Sequence, residues 1–354
     1  MSSRRRYLLL TTFIILPLGL YLSTMMAGLP FHSLFRPMPV GSAFARISNL
    51  DGLRLRNRPN SETAKLWNPV RVLSKGHGRL PFPLETTDVL PNAHSVVLNC
   101  KRNLDYIFFV HTAPGHHQHR KVLREAMDQH SSSLAYSWTT VFFVGLSRDK
   151  DTSSIIQSEA AQHGDIALLP YQDTYKNLTY KFVYGMKWVM EYCPKVKYVV
   201  KIDDDMVTSL QRMTSYLSTV PESQTHSLHC QIIRRTPVIR DINSPWYLSE
   251  DTYPNSEFSE YCSGRGLVFR SHLLQRLYSA TFCLSYHGID DVFVTGDAAL
   301  VARVGRVDIS SLFSHGEDDW WKVAAGHLIF CHIPNATLRV ESWGILIKGP
   351  KSLS

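Results

Sequence analysis

No internal repeat is visible in the 354 residues, and no pair of cysteines has the close CxxC spacing of a zinc site. Solenoid, collagen-like and zinc-ribbon architectures are therefore excluded. Charge is sparse at 19%, against 44% hydrophobic residues, which is the composition of a globular chain with a core and not of a disordered one. The first 29 residues contain no acid at all. They carry three arginines, Arg4 to Arg6, followed by Tyr7 to Leu29 without a single Asp, Glu, Lys or Arg. The net charge of +8 is unevenly spread: +3 falls in residues 1–29 and +7 in residues 30–103, which leaves −2 for residues 104–354. A body of that sign is not built for nucleic acid, and none is expected as a partner.

The uncharged stretch fixes the expected compartment. A helix of that length, at about 1.5 Å per residue, covers a hydrocarbon core of about 30 Å, whereas a cleaved secretory signal has a shorter apolar region. Arginines on the short N-terminal side keep that side cytosolic. The expected layout is a cytoplasmic tail at 1–6, a transmembrane signal anchor at 7–29, a lumenal stem at 30–103 and a catalytic domain at 104–354. The first part of that stem, residues 30–91, holds eight of the 18 prolines and no sustained period, as a semi-extended tether would. All six cysteines, Cys100, Cys193, Cys230, Cys262, Cys283 and Cys331, fall on the lumenal side, where disulfides form. Their pairing is open among 15 arrangements. Asn177-Leu178-Thr179 and Asn335-Ala336-Thr337 are glycosylation sequons.

From residue 104 onward apolar runs of strand length alternate with amphipathic stretches. Strands are expected at Tyr106–Val110, Val141–Gly145, Ile166–Leu169 and Tyr198–Ile202, and helices at Gln118–Gln129, Thr152–His163 and Thr179–Cys193. Such βαβ alternation predicts an α/β fold with a mainly parallel, doubly wound sheet and flanking helices, whose ligands bind outside the carboxyl ends of the strands. At that end of the fourth strand stand Asp203, Asp204 and Asp205. Three adjacent carboxylates need a positive partner, and a hard divalent cation bridging to a diphosphate supplies it; a solvated acidic turn is the competing reading. Asp290-Asp291, taken alone, reads as an acid pair at a helix N-terminus.

The run Lys201-Ile202-Asp203-Asp204-Asp205 resembles the K-x-DDD signature of glycosyltransferase family 31, the β1,3-galactosyltransferases and β1,3-N-acetylglucosaminyltransferases, which includes the Fringe enzymes. Four further blocks follow the family's order: His111-Thr112-Ala113-Pro114-Gly115 with Arg120, Arg124 and Glu125; Asp173 to Lys181; Trp246 to Tyr253-Pro254 leading to Tyr261-Cys262-Ser263-Gly264-Arg265-Gly266; and Ile289-Asp290-Asp291-Val292 with Gly296. The resemblance spans about residues 104–343. Met127 stands for the family's Trp, Met206-Val207-Thr208 replaces its residues after the triad, and Arg265 intrudes between two glycines.

What the resemblance implies is a GT-A type, Rossmann-like nucleotide-sugar-binding domain and an inverting, Mn²⁺-dependent transfer from a UDP-sugar in β1,3 linkage. The product would be an elongated glycan on a glycoprotein or glycolipid, made by a single-pass type II enzyme of the Golgi membrane. Asp291 is the implied general base with Asp290 assisting. Asp205, with Asp203, is the implied metal ligand, completed by His332 from a late Cys331-His332-Ile333-Pro334 segment; His315 is an alternative. Asp203 and Asp204 would hold the ribose and metal waters, and Arg120 and Arg124 the nucleotide. Without the family, His116-His117-Gln118-His119 reads as a solvated polar loop, Trp320-Trp321 as core packing before sugar stacking, and Gly264 and Gly266 as either a close approach to ligand or a turn. Two other functions compete: a catalytically inactive, membrane-tethered carbohydrate-binding protein of the same fold, and a metal-dependent phosphoesterase. Which UDP-sugar, which acceptor and which oligomeric state are left open.

Overall fold

The computed structural model describes residues 94–130 and 136–348. The expected membrane span at 7–29 lies outside them, and among the described residues no helix is long and apolar enough to cross a membrane. The first described element is helix α1 (His94–Asn99), upstream of the first apolar run; Val96 packs into the core and Cys100 is disulfide-bonded to Cys193.

The expected alternation is present. Strand β1 (Tyr106–His111) leads to α2 (His117–His130), β2 (Trp138–Leu146), α3 (Lys150–His163), β3 (Ile166–Gln172), α4 (Leu178–Tyr192) and β4 (Tyr198–Asp203). All six residues of β1 and the first five of β4 are buried, which is why they read as unbroken apolar runs and not as alternating ones. Helix α3 starts where the Asp149 carboxylate accepts the Thr152 amide hydrogen at 2.8 Å, and it stops at Gly164, whose φ of 65° is the left-handed conformation that glycine adopts without strain. Helix α4 buries the stripe Phe182, Val183, Met186 and Val189 at helical spacing.

The seven-stranded sheet has the order β3-β2-β1-β4-β7-β6-β8, with β6 at Ser227–Ile233, β7 at Tyr261–Arg270 and β8 at Gly305–Asp308. Strands β1 to β4 are mutually parallel; β7 runs antiparallel to β4 and to β6. The chain winds outward from β1 through β2 to β3 and then returns to lay β4 on the other side of β1. That reversal is the point at which a crevice opens beyond the strand ends. Two buried clusters cover the two faces, one built on Phe109, Phe143 and Trp188, the other on Phe108, Phe142 and Trp343. A small second sheet pairs β5 (Met206–Thr208) with β9 (Phe330–His332), which brings residue 332 beside residue 206, 126 positions away in the chain.

The cysteines resolve into Cys100–Cys193 and Cys230–Cys262, the latter joining β6 to β7. Cys283 and Cys331 carry free thiols, so the even count of six does not become three bridges.

Candidate active site

A cavity of about 950 Å³ opens beyond the carboxyl ends of β1 and β4 and is walled by His111, the triad Asp203–Asp205, Gly264 and the pair Asp290-Asp291. Register explains the convergence: His111 lies opposite Asp203, and Ile202 opposite Gly266, so two parallel strand ends and one antiparallel strand meet at one rim.

Each acid of the triad has a different partner. The buried Lys201 ammonium donates to Asp203 at 2.8 Å and to the Gly264 carbonyl at 2.6 Å, tying the triad to the opposite wall. Burial works against the Lys201 charge, but Asp203, Asp290 and Asp291 outweigh it and hold the ammonium above its ordinary pKa. Asp204 is the buried member of the triad. It accepts from the Thr112 hydroxyl at 2.5 Å and lies 2.8 Å from His116 Nδ1 and 3.0 Å from His119 Nδ1. Burial raises its carboxyl, yet those three bonds prevail and hold it well below the usual carboxylate range. Asp205 faces the late segment: its carboxylate is 3.0 Å from His332 Nε2, across the β5–β9 pairing. The bond to Asp205 raises the His332 imidazole above its ordinary value.

Two of the sequence readings change here. His116 and His119 are engaged on Asp204, so the histidine loop is not merely solvated; with Asp204 they form a compact set of two nitrogens and an oxygen that could hold a cation. Arg120 and Arg124 do not line the cavity. Arg120 is fully buried, its guanidinium bonded to Glu159 at 2.7 and 2.9 Å and to the carbonyls of Ala113 and Pro114. Arg124 grips Glu159 and Asp165. Carboxylate partners hold both guanidiniums, and Arg120 also braces the loop 112–116 that forms the wall.

The pair Asp290-Asp291 sits where a π-helix, Asp291–Ala298, begins. Asp291 Oδ2 accepts the Gly264 amide hydrogen at 2.8 Å, and Oδ1 fills the space where a side chain at 264 would begin. The same helix is fastened to β7 again where the Cys262 amide donates to the Thr295 hydroxyl at 2.9 Å. Deeper in that helix, the buried Asp297 accepts from Ser259 at 2.7 Å and Tyr253 at 3.2 Å and lies 3.2 Å from His287 Nε2. A wide helix turn of this kind is itself a frequent mark of functional sites. Burial, followed by the adjacent Asp290 charge, raises the Asp291 carboxyl well above its ordinary value. Asp290 is 3.5 Å from the buried His111, whose imidazole burial and the Lys201 and Lys181 charges keep neutral.

Other sequence features fall into place around the cavity. Asp173 and Lys181 form a buried ion pair at 3.0 Å, and the Lys181 ammonium also donates to the Thr112 carbonyl, so that motif holds a wall. Its sequon is tied in as well: Asn177 donates to the Gln172 carbonyl and Thr179 is fully buried, whereas Asn335 is exposed. His315 is exposed and does not line the cavity. Trp320 packs against the core and Trp321 is half-exposed, both away from the cavity. The aromatic residues at its mouth are Tyr175 and Trp246, exposed and bonded to each other at 2.7 Å. Sequence reasoning passed over that pair because 71 residues separate them.

A family model described as galactosyltransferase matches residues 118–310. Mouse β-1,3-galactosyltransferase 1 is 27% identical over 219 residues, covering 60% of this chain and 66% of that protein. Human β-1,3-galactosyltransferase 2 is 28% identical over 245 residues, covering 68% of this chain and 58% of that protein. The match thus spans less than two thirds of the length of these curated relatives, 66% of the one and 58% of the other. A solved structure of the galactosyltransferase LgtC with donor and acceptor sugar analogues overlaps 69% of this chain and 95% of its own at 10% identity, with a TM-score of 0.36, a likeness too slight to build on. The family match extends over more than half of the residues and contains the triad and the Asp290-Asp291 pair, and by it the chain belongs to the galactosyltransferase family.

Proposed function

We propose that the chain is an inverting glycosyltransferase that uses a UDP-sugar and a divalent cation, Mn²⁺ in the first instance, to extend a glycan in β1,3 linkage. The observation that carries this reading is the Asp291 carboxylate, anchored by the Gly264 amide at 2.8 Å on one wall of a cavity whose opposite wall is the acidic triad. An inverting transfer needs a base on the acceptor's side and a stabilised leaving group on the other. Asp291 takes the proton from the acceptor hydroxyl as its oxygen forms the new bond to the anomeric carbon. The bond from that carbon to the UDP oxygen breaks, and its electron pair leaves with UDP. A carboxyl raised by burial is a stronger base than an exposed one and is better matched to neutral pH. Asp290, the second carboxylate of the pair, is held beside it by His111 at 3.5 Å.

The donor set of Asp205 and His332, a carboxylate oxygen and an imidazole nitrogen 3.0 Å apart, fits a cation of the manganese class, which takes its remaining ligands from water and phosphate. A cation held there would neutralise charge on the leaving diphosphate. Asp205 and His332 are favoured over the trio of His116, His119 and Asp204, because Asp204 is buried and already satisfied by three donors. Asp203, held by Lys201, is left to meet the ribose or the metal's waters.

The GT-A assignment is supported by the parallel half-sheet and the acids at its switch point. The Golgi-membrane placement and the domain limits rest on the uncharged stretch at 7–29 and the stem that follows, and the glycan acceptor on the family. The direct test is donor turnover: UDP release across several UDP-sugars with Mn²⁺ and with chelator. Metal-dependent release from one donor supports the reading, and release of inorganic phosphate in its place would point to a phosphoesterase.

A further inference from the structure

The cavity has an excess of negative charge for the ligand proposed to enter it. Six of the side chains that line it are carboxylates, and a nucleoside diphosphate is itself an anion. Of the three lysines that line it, Lys181 is spent on Asp173 at 3.0 Å and Lys201 on Asp203 at 2.8 Å, and the third, Lys176, is an exposed side chain without a fixed partner geometry among the described residues. Arg120 and Arg124, the arginines the sequence suggested, are spent on Glu159 and Asp165.

Arg265 is different. It stands on β7 between Gly264 and Gly266, lines the same cavity, and makes no ion pair among the described residues. Its two hydrogen-bond partners are neutral: Nη2 donates to Gln231 Oε1 at 2.5 Å and Nε to Ser263 Oγ at 3.4 Å. A guanidinium has five N–H donors, so three of them, including both on Nη1, have no partner among the described residues. The group is near the expected cation ligands, since the adjoining Gly266 packs against Phe330 on β9, the strand that carries His332. A partly covered, oriented, uncompensated guanidinium next to metal ligands has the fork geometry that suits phosphate oxygens.

We propose that Arg265 is the diphosphate anchor of this site, binding the β-phosphate oxygens of the nucleotide-sugar beside the Asp205–His332 pair. This rests on the glycosyl-transfer reading above. No proton moves at Arg265. When the anomeric carbon–oxygen bond breaks, the electron pair passes to the phosphate oxygen, and the guanidinium meets charge that is larger after cleavage than before it.

The test compares full-length, detergent-solubilised wild type, Arg265→Lys and Arg265→Gln, each titrated calorimetrically with UDP and with uridine in the presence of Mn²⁺. Arg265→Gln is expected to weaken UDP binding on the order of 10-fold or more, the usual worth of a hydrogen bond to a charged group. Arg265→Lys keeps the charge and loses the fork, so it falls between the two, and uridine affinity is unchanged in all three. Equal UDP affinity in wild type and Arg265→Gln overturns the anchor while leaving the glycosyl-transfer reading intact. Equal losses for UDP and uridine overturn it as well, since the residue would then shape the pocket without meeting phosphate. Wild type that binds no UDP with Mn²⁺ overturns both.

Discussion

Asp291 and Gly264 touch where two distant segments close the cavity: Asp291 Oδ2 accepts the Gly264 amide hydrogen at 2.8 Å, and a Cβ built on residue 264 would lie 2.5 Å from Asp291 Oδ1. The glycine is required by close approach. Gly264→Ala is therefore expected to push the carboxylate off its position and lower kcat about 100-fold, the usual cost of misplacing a reacting group by about 1 Å. A transfer assay on that variant with wild-type turnover would show that Asp291 does not need this seat.

The cation prediction separates two sets of ligands. Asp205→Asn or His332→Ala should raise the Mn²⁺ concentration for half-maximal activity at least 10-fold, a loss expected when a ligand or its close support is removed. His116→Ala combined with His119→Ala should leave that concentration near wild type. The opposite pattern in a metal titration would assign the cation to the trio around Asp204.

The strands and helices from 106 to 203 are legible in the sequence because β1 and β4 are buried on both faces and β2 and β3 are mostly buried, so that each reads as an apolar run. Strands β6 and β7 were not legible: Tyr261–Arg270 includes Ser263, Gly264, Arg265 and Gly266, whose place in the sheet is set by pairing with β4 and β6. The acids stand at the cavity by their motifs. The partners of those acids do not follow from spacing: His119 reaches Asp204 across 85 residues and His332 reaches Asp205 across 127. Arg120 shows the converse. Its place in a motif suggests a ligand contact, while its partner Glu159 lies in a different helix with no local signal.

Cysteine chemistry gives a simple count. Denatured without reductant, the protein should show two reactive thiols per chain, from Cys283 and Cys331. In the native state both react slowly, since burial pushes each thiol up. A thiol titration that finds none would mean that these two cysteines are also bridged.

The raised Asp291 carboxyl also has a stability consequence. A group whose folded pKa lies above its unfolded value, about 3.9 for Asp, costs nothing below the unfolded value and destabilises the native state as pH rises through the folded one. Asp291→Asn removes the ionised form, so its Tm should exceed that of wild type at pH 7.5, with the gap closing toward pH 4. Thermal unfolding across that range checks it, and a variant less stable than wild type throughout would contradict the assigned burial of charge.

The most direct measurement is glycosyl transfer by Asp291→Asn at saturating Mn²⁺ and donor, alongside UDP binding. The account predicts a fall in kcat on the order of 100-fold or more, the usual contribution of a positioned base, with UDP affinity unchanged. Wild-type kcat also falls as pH drops through the raised Asp291 value, because the base must be ionised. Turnover in Asp291→Asn equal to wild type would contradict the assignment of this carboxylate as the base.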